Sequence, residues 1–348
     1  MTESRRSLGV GIVGAGFMGQ TYARTVSDHV QGAYVVAVAD VDVSKTAPMA
    51  EEYGILACGT IEELLEIRGI DMVCVATPHA LHGPQALAAA KAGKHLMIEK
   101  PMAGSVAECD AVLSVCKEKH LLSSIMYTQR ARTGNVKTKE LLASGRMGRV
   151  LQMRSYQMVP GGMEVVPKWQ LQPEGVGLLF GHGIHNLDQT RWLTGAEIAT
   201  VYAKARNIDP RYTVEGTSDV LLTMTDGTVC YIFCSFELPK PGFPRSEIGT
   251  RIICERGLID IDSYGETRVS YEGGPWEVLV VQEKVDWAGK GFLDPARLKA
   301  YTANIQALVD AVREGKPLDT TGWDGRQAVA AVFAAYESSR TGREIRLN

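Results

Sequence analysis

The sequence predicts an α/β protein of two domains, with a doubly wound parallel sheet over residues 1–128 and an α+β domain over residues 129–348. Three observations lead to this fold class. Apolar strands alternate with helices in the first part, whereas consecutive strands with hairpin signals fill much of the second. The length of 348 residues also exceeds what one hydrophobic core usually serves. The second domain is expected to hold a largely antiparallel, open-faced sheet, with C-terminal helices that could pack back on the first domain.

The first domain consists of repeated strand–helix units. Two capping boxes, each a hydroxyl followed three residues later by glutamate, predict helix starts at Thr60 with Glu63 and at Ser105 with Glu108. Because the strands carry almost no polar residues, we expect helices on both faces of the sheet. The predicted strands are "LGVGIVGAG", "AYVVAVAD", "DMVCVATP", "HLMIEKP" and "LLSSIMYT".

The pattern changes after about Gln129. The clearest turn signal there is "TDGT", which is typical of a β-hairpin. The expected elements are a helix around "VKTKELLASG", a strand over Arg149–Val159, strands over Ala199–Val285, helices over Pro295–Glu314 and Gly322–Arg340, and the strand "REIRL".

The strand "TVCYIFCSFEL" is apolar on both faces, because successive side chains alternate between faces. A sheet of this kind needs two covers. We therefore expect helices on one side and a partner subunit on the other, in a homodimer or homotetramer. The residues of the two faces are Cys230, Ile232, Cys234 and Phe236 on one, and Val229, Tyr231 and Phe233 on the other.

The composition indicates a soluble globular protein, with 45% hydrophobic and 22% charged residues. A formal net charge of −3 argues against a nucleic-acid partner, since such proteins usually carry a basic surface. The longest apolar runs are strand-length, so no membrane partner is expected.

The cysteines and the N-terminus bear on location. Seven cysteines, most of them in apolar runs, are expected to be small core residues in a reducing compartment. The segment "SRRSLG" resembles the start of a twin-arginine export signal, but the apolar stretch that follows is needed for the first strand. We therefore expect a cytoplasmic protein.

The stretch "GIVGAGFMGQ" places Gly14, Gly16 and Gly19 as G-x-G-x-x-G between a predicted strand and a helix. Such glycines permit a tight turn, close approach to a pyrophosphate and close helix packing, as in a Rossmann domain. Asp40 ends the next strand, 21 residues after Gly19, where a carboxylate can accept a hydrogen bond from a ribose hydroxyl and repel a 2′-phosphate. NAD is therefore favoured over NADP.

The segment "VATPHALHGPQALAAAKAGKHLMIEKP" resembles the Gfo/Idh/MocA family, named for glucose-fructose oxidoreductase and inositol dehydrogenase. The resemblance extends to the glycine fingerprint, to "GLLFGHGIHNLDQTRWLTG" and to the closing "AAVFAAYESSRTGREIRL". It implies an NAD(P)-dependent oxidoreductase acting on CH–OH donors. The most specific element is Glu99-Lys100-Pro101; in the family its proline commonly follows a cis peptide bond, and its lysine approaches the nicotinamide ribose and the reacting hydroxyl.

Lys100 also has a case from elementary chemistry. It follows a parallel strand at its carboxyl end, where ligands bind in open α/β sheets. Burial and a nearby nicotinamide cation would lower the pKa of this amine, which makes it a candidate general base. The alternative is a solvated surface lysine.

The fingerprint and the resemblance together imply a set of cofactor-binding residues. His79 stands where the family more usually has asparagine. The set is Gly14, Gly16, Phe17, Met18, Gly19, Asp40, Thr77, Pro78, His79, His82, Glu99, Lys100 and Gln129.

The segment "GLLFGHGIHNLDQTRWLTG" places His182, His185 and Asp188 on one helical face. The family pattern there is an aspartate, then histidine four residues on, then aspartate three further; His185 and Asp188 match, but Gly181 replaces the first aspartate. We expect His185 to be catalytic and consider His182 a substitute for the missing acid. Asp188 could orient a histidine or pair with Arg191. A metal is not expected, because no further ligand cluster accompanies the histidines.

Substrate contacts are harder to predict, because each candidate side chain could equally have a purely structural role. Trp169 could stack on a sugar or an aromatic ring, and Gln170 follows it where relatives often have arginine. The predicted substrate-binding residues are Lys100, Arg130, Tyr156, Trp169, His182 and His185.

These observations predict an NAD-dependent dehydrogenase for a secondary ring hydroxyl of a sugar, polyol or glycoside. Lys100 would take the hydroxyl proton, with His185 in hydrogen-bond contact, as hydride moves to nicotinamide C4. Three alternatives stay open: a dehydrogenase of an aromatic-derived diol or lactol, an NAD-dependent glycosidase with transient redox, and an NAD-binding sensor without turnover.

Overall fold

The structure is a computed structural model that describes residues 6–172, 177–243, 248–286 and 289–347. Arg5 of the export-like segment thus lies outside the described residues. The chain forms two compact units. The first comprises Met1–Thr128 and Val285–Arg326, and the second comprises Gln129–Lys284 and Gln327–Asn348.

The first unit is built on a six-stranded parallel sheet in the order β3-β2-β1-β4-β5-β6. Its strands are β1 (Leu8–Val13), β2 (Ala33–Ala39), β3 (Leu56–Cys58), β4 (Met72–Val75), β5 (His95–Ile98) and β6 (Ser123–Ile125). Its helices are α1 (Phe17–His29), α2 (Val43–Tyr53), α3 (Ile61–Glu66), α4 (His79–Lys91), α5 (Val106–Glu118) and, after the second unit's strands, α9 (Pro295–Glu314). Among these six strands, β3 was not predicted, because three residues are too few to give an apolar pattern; helix α2 was not predicted either.

Both predicted helix caps form, and each glutamate carboxylate accepts from the N–H of the glycine that precedes the cap, Gly59 or Gly104. Thr60 Oγ1 accepts from Glu63 N–H and Ser105 Oγ from Glu108 N–H, each at 3.2 Å, so α3 and α5 start where the hydroxyls predict. Helix α9 returns to this unit because its apolar face, with Ile305 and Leu308, joins the core under β1 and α1. The segment 285–326 therefore belongs with the first unit.

The second unit is built on a nine-stranded sheet in the order β14-β13-β12-β11-β7-β10-β9-β8-β15. Its strands are β7 (Val150–Pro160), β8 (Ile198–Arg206), β9 (Thr217–Met224), β10 (Val229–Leu238), β11 (Ile248–Cys254), β12 (Gly257–Asp262), β13 (Glu266–Tyr271), β14 (Glu277–Val281) and β15 (Ile345–Arg346). Its helices are α6 (Thr133–Ala143), α7 (Gly162–Val165) and α8 (Ile184–Thr194), while α10 (Gly322–Thr341) begins in the first unit and ends in this one. Strands β7 and β10 pair in parallel and the other pairs are antiparallel, which confirms the predicted fold class.

Strand β10 alternates as predicted. Ile232 and Cys234 are buried, whereas Val229 on the other face is 37% exposed. Helix α8 packs on the buried face, where Asn186 Nδ2 donates to Ser155 Oγ at 2.6 Å. A partner subunit that covers the outer face of the sheet remains a prediction.

No helix in the described part of the chain is long and apolar enough to cross a membrane. All seven cysteines are buried thiols without disulfides. They act as the small core residues that the sequence predicts.

Candidate active site

The glycine fingerprint forms the turn between β1 and α1. Gly14 has a φ of +99°, and a Cβ at Gly19 would lie 1.9 Å from Gly14 O, so both positions need glycine for the turn and for close helix packing. Gly16 differs, since a Cβ there would meet no atom within 4 Å. Packing gives no reason for glycine at this helix N-terminus, but the approach of a pyrophosphate does. The turn thus fits a dinucleotide.

Asp40 follows β2 and binds the backbone of the same turn. Its Oδ2 accepts from Ala15 N–H at 2.8 Å and its Oδ1 from Asp42 N–H at 2.9 Å. Each oxygen keeps a second lone pair, so the fixed carboxylate can still accept from a ribose hydroxyl. Its negative charge opposes a 2′-phosphate.

The two residues between Gly16 and Gly19 lie in different surroundings. Phe17 is 47% exposed, and its ring contacts Phe292 edge-on with the centroids 4.3 Å apart. Met18 packs against the hydrophobic core. Of the two, Phe17 is therefore the side chain accessible to a ligand at the phosphate turn.

His82 connects the ends of two neighbouring strands. Its Nε2 lies 2.6 Å from Thr77 O, after β4, and its Nδ1 lies 2.6 Å from Pro101 O, after β5. Burial lowers the pKa of His82, although the carbonyl contacts oppose this shift. His79 begins α4 after Pro78 and contacts the His82 ring edge-on. His82 thus joins the turn after β4 to the turn after β5 that contains Lys100, and His79 packs on its ring.

Lys100 follows β5 and is partly buried, and the Lys100–Pro101 peptide bond is cis, as the resemblance implies. Burial lowers the pKa of the Lys100 amine, Glu99 opposes this shift and Arg297 adds to it. The Glu99 carboxylate is itself buried and accepts from the Tyr22 hydroxyl at 3.3 Å and from Lys100 N–H at 3.2 Å. Burial raises the pKa of Glu99, while Lys100 and Arg297 lower it. The amine is therefore easier to deprotonate than an ordinary lysine.

Arg297 is a member of this charge cluster that the sequence did not reveal. It comes from α9 and donates to Phe292 O at 2.6 Å and to the Tyr301 hydroxyl at 2.8 Å. It lies 197 positions after Lys100 in the sequence and belongs to no motif, so no local signal could have identified it.

In the second unit, His182 lies in a π-helical turn, Leu179–Gly183, which leads into α8. Its Nε2 is 2.9 Å from Gln170 Oε1, and its ring packs on Phe236 with the centroids 4.6 Å apart. Gln170 therefore orients His182. His185 is the second residue of α8 and is partly buried. Helical segments of π type are frequent at functional sites.

Asp188 forms a buried ion pair with Arg130. Arg130 Nε donates to Asp188 Oδ2 at 2.9 Å and its Nη2 donates to Oδ1 at 2.6 Å, with both side chains buried. Arg191 instead binds Glu197 through two hydrogen bonds of 2.6–2.7 Å. The structure thus gives Asp188 a buried partner 58 residues away that the sequence did not suggest. Two of the donor nitrogens of Arg130 are committed to this pair, which leaves less of the side chain for substrate.

Gln129 belongs to a hydrogen-bonded network under α8. Asn135 Nδ2 donates to Gln129 O at 2.7 Å, and Gln189 Nε2 donates to Asn135 Oδ1 at 2.9 Å. Thr250 Oγ1 donates in turn to Gln189 Oε1 at 3.3 Å. In this unit Gln129 fixes the start of the segment that carries Arg130.

Of the last two predicted substrate residues, Tyr156 lies on the sheet face away from α8, whereas Trp169 precedes a residue that contacts His182. Tyr156 lies over Gly249 on the face of the sheet opposite α8, because Ser155 before it faces the helix. The structure therefore does not bring Tyr156 together with His185. Trp169 lies in a 3₁₀ turn, Lys168–Leu171, and is 37% exposed. Its neighbour Gln170 is the residue that contacts His182.

The finding on metal ligands concerns residues 6–172, 177–243, 248–286 and 289–347. Within them, no group of three or more histidine, cysteine, aspartate or glutamate side chains is arranged to hold a metal ion.

Comparison with known proteins places these features in a family. The family model described as "Oxidoreductase family, NAD-binding Rossmann fold" matches residues 8–127. The model described as "GFO/IDH/MocA C-terminal domain" matches residues 135–260. Inositol 2-dehydrogenase 2 of Saccharopolyspora erythraea is 27% identical over 97% of this chain and 94% of its own. The inositol 2-dehydrogenase of Rubrobacter xylanophilus is 26% identical over 98% of this chain and 94% of its own.

Solved structures show the same fold. An oxidoreductase from Agrobacterium radiobacter, in complex with NAD⁺, L-tartaric acid and magnesium, is similar with a TM-score of 0.86 at 24% identity, covering 98% of both chains. The aldose-aldose oxidoreductase of Caulobacter crescentus has a TM-score of 0.84 at 25% identity, over 98% of this chain and 100% of its own. At the level of the family, these matches confirm NAD as the cofactor and an NAD(P)-dependent oxidoreductase acting on CH–OH donors. The chain belongs to the Gfo/Idh/MocA family of oxidoreductases.

Proposed function

We propose that this protein is an NAD-dependent dehydrogenase that oxidises a secondary ring hydroxyl of a polyol, sugar or glycoside, with Lys100 as the general base. One observation carries the proposal: a partly buried lysine at the carboxyl end of β5 has its pKa lowered by burial and by Arg297. Such an amine is neutral at a lower pH than an ordinary lysine, so it can accept a proton from an alcohol.

The proposed reaction assigns a role to each side chain. The neutral Lys100 amine accepts the hydroxyl proton of the substrate, and the Glu99 carboxylate stabilises the ammonium that forms. Bound NAD⁺ supplies a hydride acceptor at nicotinamide C4 for the carbon that carries the hydroxyl. His185 and His182 hold the hydroxyl by hydrogen bonds, with His182 oriented through Gln170.

Cofactor binding is assigned to the first unit. The turn at Gly16 would take the pyrophosphate at the N-terminus of α1, and Asp40 the ribose hydroxyls of NAD. Phe17 lies at the same turn with its ring exposed. Thr77, Pro78, His79, His82 and Glu99 would line the remaining length of the cofactor.

The substrate class is supported by the relatives. Both curated relatives are named as inositol 2-dehydrogenases, and inositol carries secondary hydroxyls on a ring. At 26–27% identity these names support a polyol or sugar substrate rather than a particular one. Trp169, exposed in its 3₁₀ turn, is proposed to stack on the ring.

The outer face of the second unit's sheet supports a homo-oligomer. Tyr202, Leu221 and Val229 are 38%, 44% and 37% exposed on this one face. Exposed apolar patches of this kind mark subunit contacts. Sedimentation is expected to show a dimer or tetramer that Leu221→Asp dissociates, and a monomeric wild-type protein would refute the assignment.

The test is a substrate panel with NAD⁺ and with NADP⁺, monitored by absorbance of the reduced cofactor. The panel comprises inositol isomers, aldoses, glycosides and aromatic-derived diols. Reduced cofactor with a ring polyol or sugar is the expected result. Sugar release from a glycoside without net NADH would show a glycosidase instead, and NAD⁺ binding with no turnover of any alcohol would show a sensor.

A further inference from the structure

The helical segment that carries His182 and His185 begins at amide groups that distant residues bind. The first N–H groups of a helix have no partner inside it. Leu178 N–H donates to the backbone carbonyl of Glu215 at 3.2 Å, and Leu179 N–H donates to the carboxylate Oε1 of the same residue at 2.8 Å. Glu215 therefore binds two successive N–H groups, one through its main chain and one through its side chain.

Tyr336, on α10, completes the arrangement. Its hydroxyl accepts from Phe180 N–H at 3.3 Å and donates to Glu215 Oε1 at 2.8 Å. The ring packs against Phe333, which in turn packs on Phe180. Since a tyrosine hydroxyl has one proton to donate, both partners fix its orientation.

The chain enters this helix around the Glu215 carboxylate. Gly177 has a φ of +89°, and a Cβ there would lie 1.6 Å from Glu215 Oε2. Gly181 N–H then donates to Gly177 O at 3.1 Å. Residues 178 to 181 thus have all four of their N–H groups bonded, three of them to Glu215 and Tyr336 and the fourth to Gly177.

Burial at this position disfavours the charged form of the Glu215 carboxyl. Burial raises the pKa of Glu215 to about 7, although Leu179 N–H and the Tyr336 hydroxyl favour the charged form. Partial positive charge at a helix N-terminus also stabilises a carboxylate. Glu215 lies 33 residues after His182 in the sequence. It has no role in the candidate active site as described above.

We propose that Glu215 and Tyr336 are positioning residues for His182 and His185. Their hydrogen bonds fix the turn Leu179–Gly183 and thereby the start of α8, on which both histidines stand. The catalytic consequence rests on the proposed function, whereas the structural part concerns the second unit alone. Loss of these bonds would let the turn shift and would change the surroundings of both imidazole rings.

The experiment compares Glu215→Ala, Glu215→Gln and Tyr336→Phe with the wild-type protein. Tyr231→Phe is the matched control, because it removes another tyrosine–carboxylate hydrogen bond, to Asp219, in the same unit. The readout is the NMR resonance of each imidazole C2–H, assigned with His182→Gln and His185→Gln. Glu215→Ala and Tyr336→Phe are expected to move both resonances. Glu215→Gln should largely restore them, since an amide oxygen still accepts from Leu179 N–H, and the control should leave them in place.

Steady-state kinetics give the second readout. Glu215→Ala and Tyr336→Phe should lower kcat by at least about tenfold and change KM less, since misplaced catalytic groups slow the reaction more than they weaken binding. Unchanged His182 and His185 resonances in folded Tyr336→Phe would overturn the proposal, and this variant also decides it where Glu215→Ala does not fold. Absence of turnover in the wild-type protein would refute the proposed function, while the NMR comparison would still decide the positioning.

Discussion

Replacement of Asp188 by asparagine is expected to destabilise the second unit strongly. The structure buries both partners of the pair, with the Arg130 side chain 5% exposed and the Asp188 side chain 0% exposed, and joins them through hydrogen bonds of 2.9 and 2.6 Å. The Asp188→Asn variant keeps the shape and one acceptor but leaves the guanidinium without its counter-charge. Removing one partner of a buried ion pair typically costs about 3–5 kcal/mol.

The pair between Arg268 and Glu266 is a matched control, because its two hydrogen bonds also measure 2.9 and 2.6 Å but its side chains are 53% and 40% exposed. Glu266→Gln should cost about 1 kcal/mol or less, since water already solvates both partners. A calorimetric Tm should therefore fall by about 10 °C for Asp188→Asn and by no more than about 3 °C for Glu266→Gln.

A double variant separates charge from packing. Arg130→Met with Asp188→Leu removes both charges and should recover most of the lost Tm, because an apolar pair avoids the cost of an unpaired buried charge. The reasoning would be refuted by Asp188→Asn losing no more stability than Glu266→Gln. It would equally be refuted by the double variant being less stable than Asp188→Asn.

Three further predictions concern the cofactor turn and Glu215. In calorimetric titration, Asp40→Ala should weaken NAD binding by about tenfold and raise the affinity for NADP relative to NAD. Asp40→Asn keeps an acceptor for Ala15 N–H, so it should shift the cofactor selectivity with less loss of stability. Unchanged selectivity in both variants would contradict this prediction. Gly16→Ala should leave Tm unchanged and weaken NAD binding, whereas Gly19→Ala should lower Tm, because only the Cβ at position 19 meets the backbone. Equal losses of Tm in the two variants would count against a cofactor-binding role for Gly16. Burial raises the pKa of Glu215 to about 7 from 4.5, so between these values the folded protein holds a proton that the unfolded chain releases. Stability should therefore rise by up to ~3 kcal/mol as pH falls from 7 to below 4.5, and by roughly 1.3 kcal/mol between pH 8 and pH 6. This gain should be absent in Glu215→Gln by Tm measured at pH 6 and pH 8; the groups that face the carboxyl, Tyr336 and Cys234, have pKa values raised by burial and stay neutral there.

Local signals were sufficient where the interacting residues are close in sequence. The glycine turn, the capping boxes at Thr60 and Ser105, and the "TDGT" hairpin each depend on residues within a few positions of one another, and each forms. The buried and exposed faces of β10 follow in the same way, because alternation along a strand is a local property.

Long-range partners were beyond the same reasoning. A helix wheel suggests Arg191 for Asp188, but the ion that pairs with it is Arg130, which another segment brings under α8. Arg297 beside Lys100, and Glu215 with Tyr336 at the start of the histidine-bearing turn, are likewise joined only by folding. Tyr156 differs from these residues, because its position follows from local alternation along β7. Ser155 before it faces α8, so Tyr156 lies on the face of the sheet away from His185.

The most direct test of the central claim is the pH dependence of kcat/KM for alcohol oxidation in the wild-type protein and in Lys100→Arg. The lowered pKa of Lys100 predicts a wild-type rate that rises with pH and levels off at an apparent pKa below the ordinary 10.5 of lysine. Lys100→Arg keeps a positive charge that does not deprotonate, so it should still bind NAD but lose this rise and most of the turnover. Near wild-type turnover by Lys100→Arg, with the same pH profile, would contradict Lys100 as the base.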